Sequence, residues 1–97
     1  MNIGVPRERR PDENRVGLTP AGVELLAADG HSFYVEKGAG LGAGFSDDDY
    51  ARAGAQIVYS GEEAYGRADV VAKVGRPTAE ELIWLRPGQA VMAFWHL

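Results

Sequence analysis

Cysteine is absent from the 97 residues. No disulfide framework and no thiolate metal site can be built, which suits a reducing compartment. Histidine is scarce: His31 and His96 stand far apart, and no ligand spacing joins either to other donors, so no metal motif is present. No apolar run approaches the ~20 residues that a membrane span needs. Strand-like residues begin at Ile3, which leaves no room for a signal peptide. The expectation is a cytoplasmic protein with no membrane partner. A surplus of positive charge is missing too. The formal net charge is -4 with mixed signs along the chain, so no nucleic-acid partner is expected, because such binding needs clustered Lys and Arg. The one local exception, Arg7, Arg9 and Arg10, has Glu8, Asp12 and Glu13 lying among it.

What is present is globular in composition, with 45% hydrophobic and 25% charged residues. The length allows one small domain, which buries about 60–65% of its unfolded surface. Ile3–Val5 reads as a short buried strand stopped by Pro6. Residues 6–19 form a polar loop, and loops longer than about 12–15 residues in small domains are usually functional or disordered. Thr19-Pro20 starts a helix, with Thr at the N-cap and Pro at the first helical position, and Gly30 stops it. Ser32–Glu36 is a second strand. Ser46–Asp49 has the spacing of a capping box, with Asp in place of Glu or Gln, and opens a helix closed by Gly54. Ala55–Tyr59 is a third strand, Ser60–Glu63 a second capping motif, Asp69–Val74 a fourth strand, Thr78–Glu81 a third capping motif and Gln89–Trp95 a fifth strand.

Strands alternating with short helices imply a parallel sheet with right-handed crossovers and helices on its faces. The runs Val70–Ala72 and Ala90–Phe94 fit strands buried on both sides. No internal repeat and no linker divide the chain. The last residues, Ala90 to Leu97, are an apolar strand without a turn, polar tail or closing helix. That reads as an incomplete domain: a piece of something longer, or a short product of a longer gene.

Parallel sheets of this kind bind ligands beyond the carboxyl ends of their strands. Three candidates are delivered to that edge. Arg15 lies in the middle of the loop after the first strand, between Pro11 and Pro20, and its rigid fork matches a carboxylate. The alternative is a surface arginine paired with Glu13 or Asp12. Lys73 interrupts an otherwise apolar strand, so it should face a cleft, a carboxylate or a ligand, or snorkel to solvent. His96 ends the fifth strand, and its imidazole suits proton transfer, although a histidine beside Phe94 and Trp95 can equally be structural. Together they suggest a holder for a small 2-oxo acid.

Two other features are set aside. Gly38-Ala-Gly40-Leu-Gly42-Ala43 matches a relaxed dinucleotide pattern, but the helix that should receive a pyrophosphate is postponed to Ser46 and then opens on Asp47, Asp48 and Asp49. It reads as a flexible or tightly packed loop. The paired carboxylates Glu62-Glu63 and Glu80-Glu81 stand in first helical turns, where the helix dipole accounts for them.

The segments Gly4-Val-Pro-Arg-Glu8, Glu13-Asn-Arg-Val16, Leu18-Thr-Pro-Ala-Gly-Val23, Val35-Glu-Lys-Gly-Ala-Gly40, Phe45-Ser-Asp47, Ala53-Gly-Ala55, Ala68-Asp69 and Lys73-Val74 resemble the N-terminal region of the alanine dehydrogenase and nicotinamide nucleotide transhydrogenase superfamily. The likeness covers essentially the whole chain. Phe94-Trp95-His96-Leu97 resembles the dehydrogenase branch, whereas Val-Gly-Arg-Pro after Lys73 departs from its usual Val-Lys-Glu-Pro. The resemblance implies a three-layer α/β domain with a mainly parallel, flavodoxin-like sheet and short crossover helices. It implies NAD-dependent interconversion of L-alanine and pyruvate. In it Arg15 holds the substrate carboxylate, Lys73 contacts the carboxylate and the oxo group, and His96 moves the proton on the carbinol oxygen. It further implies that NAD is bound by a Rossmann domain absent from these 97 residues, that the full enzyme is a homo-oligomer, and that residues 1–97 alone are inactive. A transhydrogenase alpha-subunit fragment and a truncated, non-catalytic module are the alternatives.

Overall fold

Four helices begin on a hydroxyl side chain. Thr19, Ser46, Ser60 and Thr78 accept backbone N–H bonds from Gly22, Asp49, Glu63 and Glu81 at 3.1–3.2 Å. Each satisfies a donor that the helix cannot satisfy internally. At Ser46 and Thr78 the acidic residue also reaches back to the cap N–H, completing the box. These helices are short, so their caps and the faces they bury decide where they sit.

A computed structural model describes residues 1–93 of the chain. Its elements run β1 (Asn2–Val5), α1 (Pro20–Ala27), β2 (Ser32–Glu36), a 3₁₀ turn (Leu41–Ala43), α2 (Asp47–Ala53), β3 (Gln56–Val58), α3 (Gly61–Gly66), β4 (Val70–Lys73), α4 (Ala79–Leu82) and β5 (Ala90–Ala93). All strand pairs are parallel, in the order β3-β2-β1-β4-β5. The parallel α/β expectation holds. The finer likeness to a flavodoxin sheet does not: that order is 2-1-3-4-5, whereas this sheet has the 3-2-1-4-5 order of Rossmann-type folds. The chain adds β2 and then β3 outward on one side before α3 carries it back across to β4 on the other.

The reversal of winding separates two cores. On one face Val5, Val23, Phe33, Val35 and Tyr50 are fully buried, with α1 and α2 packed together over them. On the other, Tyr65 of α3 and Val71 of β4 pack with Trp84 and Leu85, which follow α4. Alternation along β4 sends Ala72 to the first core, and Val71 and Lys73 to the second. The reversal lies between β1 and β4, so the crevice expected to take ligands is bounded by the loops after Val5 and after Lys73.

Candidate functional site

The loop between β1 and α1 is long but pinned at four places. Val74 and Gly75 N–H, just past β4, donate to the Glu8 carboxylate at 2.9 and 3.3 Å. Arg9 donates to Glu36 at 2.8 Å and lies over the Trp84 ring at 5.0 Å. Gly17 lies directly on the β4 backbone, where a Cβ would strike the Ala72 carbonyl. Gly42 of the glycine-rich loop lies under Asn14, where a Cβ would be 3.0 Å from the Asn14 carbonyl oxygen. The glycine loop is therefore a packing surface for the loop carrying Arg15. Replacing Gly17 with alanine forces the loop off β4 and is expected to lower unfolding free energy by about 1–3 kcal/mol. A urea denaturation midpoint equal to wild type would show that the close approach is dispensable.

Arg15 reaches the crevice but is already paired. Its Nε donates to Glu13 Oε2 at 3.0 Å and its Nη2 to Oε1 at 2.9 Å, while its backbone N–H also donates to Oε2 at 3.0 Å. The Arg15 side chain is 62% exposed and that of Glu13 16%. Hydrogen bonds from Arg15 hold the Glu13 carboxyl below its usual range, and Glu13 in turn raises the Arg15 guanidinium. Of the two alternatives for Arg15, the structure contains the pairing with Glu13, and the same guanidinium opens onto solvent. A cavity of about 310 Å³ is bounded by Arg7, Glu8, Glu13 and Arg15 together with residues of the glycine loop. A second, of about 220 Å³, lies between Arg10, Arg15 and Arg76.

Lys73 is 1% exposed and does not drift to solvent. Its ammonium lies 2.7 Å from Glu81 Oε2 and 3.2 Å from Glu8 Oε1. Tyr65 OH donates to the same Glu81 oxygen at 2.8 Å, and Thr78 N–H donates to the other at 3.0 Å. Burial alone would raise the Glu81 carboxyl; bonds from Lys73, the Thr78 N–H and Tyr65 outweigh it and hold the group below the usual carboxylate range. Burial and the Glu81 carboxylate push the Tyr65 hydroxyl up.

Arg15 and Lys73 thus arrive at the same sheet edge, joined through Glu8: it borders the larger cavity with Arg15 and contacts Lys73 from behind. Lys73 itself borders neither of those two cavities. His96 lies outside the described residues. Glu8 and Glu81 are the groups the sequence did not single out. The dipole explanation for Glu81 is incomplete, because this cap residue is fully buried and neutralises Lys73. The signal available was Lys73 itself, an isolated cation in an apolar strand that requires a carboxylate nearby.

A family model described as the alanine dehydrogenase/PNT N-terminal domain matches residues 4–97. The chain belongs to this family. Similar family members include the alanine dehydrogenases of Methanococcus maripaludis, 43% identical, and Bacillus subtilis, 44% identical, each over all 97 residues. The chain spans about a quarter of their length, 26% and 25%. A solved L-alanine dehydrogenase structure superposes with a TM-score of 0.94 at 42% identity, over 99% of this chain and 26% of that one. A crystal structure of a transhydrogenase from Sinorhizobium meliloti superposes at 0.89 with 35% identity, over 96% of this chain and 26% of that one. The alanine dehydrogenase/PNT N-terminal domain seen here is therefore part of the length of those proteins.

The domain's glycine loop does not fit a dinucleotide. Asp47 accepts the Gly38 N–H at 2.8 Å, so this loop donor is already taken by a carboxylate. The three aspartates of the first α2 turn add repulsion. Among the described residues no helix is long and apolar enough to cross a membrane.

Proposed function

We propose that the chain is the substrate-binding portion of an NAD-dependent alanine dehydrogenase, a longer enzyme converting L-alanine, NAD and water to pyruvate, ammonia and NADH. The observation that carries this reading is identity of 43–44% along the whole chain to alanine dehydrogenases, against 35% to the transhydrogenase structure. NAD is held elsewhere in such an enzyme, a reading supported by the Asp47 carboxylate on Gly38 N–H and the acidic first turn of α2. The enzyme is cytoplasmic and a homo-oligomer, and residues 1–97 alone are inactive.

Arg15 takes the substrate carboxylate through the fork that Glu13 now fills. Lys73 offers an N–H to the oxo oxygen at C2. An ammonium has three N–H groups, and the two carboxylates account for two of them. His96 moves the proton on the carbinol oxygen. What supports these roles is the similarity along the chain to alanine dehydrogenases.

Turnover of L-alanine with NAD by the full-length enzyme tests the reading. No detectable turnover, with other amino acids accepted, would refute the substrate. His96→Ala is expected to reduce kcat by about 10²–10⁴, the contribution of a positioned acid-base group, while pyruvate affinity changes far less. Parallel loss of both would make His96 a binding residue.

A further inference from the structure

We propose that Glu8 recognises the substrate nitrogen: its carboxylate accepts a hydrogen bond from the protonated amino group of a small 2-amino acid whose own carboxylate lies on Arg15. The proposal deepens the alanine dehydrogenase reading and rests on it. Two carboxylates border the larger cavity, Glu8 and Glu13. Glu13 is committed to Arg15 through both oxygens. Glu8 is set deep, its side chain 3% exposed, and is fixed by donors from one side: Val74 N–H on Oε2, and Gly75 N–H with the Lys73 ammonium on Oε1. A carboxylate offers about four acceptor positions, so one on Oε2 remains for a ligand.

Charge points the same way. Glu8 and Glu81 flank a single ammonium, so Lys73 does not by itself neutralise the Glu8 carboxylate, and Arg7, Arg15 and Lys37 border the same cavity. A cation placed against Glu8 is attracted to it, with little water to screen the two. A 2-amino acid places its carboxylate and its ammonium on neighbouring carbons, and the crevice answers with Arg15 on one side and Glu8 on the other. The oxo acid carries no cation at that carbon and gains nothing from Glu8.

The test is Glu8→Gln in the full-length enzyme, with L-alanine and pyruvate titrated separately by calorimetry. L-alanine affinity is expected to fall about tenfold, as for loss of a hydrogen bond to a charged group, and pyruvate affinity to change far less, because the oxo acid gains nothing from Glu8. Both affinities falling together would mean that Glu8 only braces the turn after β4, and would overturn the proposal. A wild-type enzyme that binds neither ligand would overturn the alanine dehydrogenase reading and this proposal with it. Should Glu8→Gln not fold, wild-type enzyme supplies the measurement: L-alanine binds at least about tenfold more tightly than propionate, which has the carboxylate and no nitrogen. Equal affinities for those two would overturn it.

Discussion

Replacing Glu81 with leucine is expected to lower the unfolding free energy by about 3–5 kcal/mol, the range for removing one partner of a buried ion pair. Leucine fills most of the space, so a cavity is not the cause. The cost is the Lys73 ammonium left with Glu8 alone, the Tyr65 hydroxyl left without an acceptor and the Thr78 N–H left uncapped. The double variant Lys73→Met, Glu81→Leu should recover much of the loss, because apolar groups of similar volume commonly replace a buried pair without penalty. Adding Tyr65→Phe removes the orphaned hydroxyl and leaves the Thr78 N–H without its cap and Glu8 without its ammonium. Urea denaturation of the series checks this, and a single variant less stable by under about 1 kcal/mol would show that water reaches the pair. The pair also has an acid signature. The folded Glu81 carboxyl titrates below its ordinary 4.5. Its contribution is therefore fully present above that value and is lost as pH falls through the lower folded one. The double variant should lack that part of the acid destabilisation.

The elements were legible because each carries a local device: a hydroxyl cap, a glycine stop, a short β-branched run. The sheet's parallel sense followed from alternation. Strand order did not, because alternation is equally compatible with 2-1-3-4-5, and only whether the α2 crossover continues outward past β2 or returns across β1 separates the two. Lys73 was recognised as a residue needing a partner, since an unpaired ammonium in an apolar strand is costly. The partner was not identified. Glu81 stands eight residues on, in a capping box that is a sufficient local reason for a glutamate. Only the fold, which returns α4 over the face of β4 shared with Tyr65, shows that one carboxylate serves both duties. Glu8 was hidden in the same way. In a loop of mixed charge it reads as solvated, yet it ties that loop to the turn beyond β4.

The same pinning gives Arg15 its expected effect. The loop is fixed by Glu8, Arg9 and Gly17, so a substitution at Arg15 changes the guanidinium and leaves its mounting in place. Arg15→Lys is expected to weaken pyruvate binding by about 10- to 100-fold, because a point charge replaces a two-pronged fork and one hydrogen bond to a carboxylate is lost, at roughly 1.5–3 kcal/mol. Glu13→Gln should act in the opposite direction. Glu13 fills the Arg15 fork in the way a substrate carboxylate would, and the bonds from Arg15 that lower its pKa keep it ionised at neutral pH. On the proposed role of Arg15, a substrate carboxylate must therefore displace it, and a neutral amide competes less well. Pyruvate affinity should rise severalfold in Glu13→Gln, at about the strength of one charge-assisted bond to the fork shared between two acceptors. In Glu13→Gln, Arg15→Lys that gain should vanish, because the fork over which the two carboxylates compete is gone. An unchanged pyruvate affinity in Arg15→Lys would remove Arg15 from the carboxylate role. A gain that survived in the double variant would mean that Glu13 repels the ligand through space and does not occupy its seat.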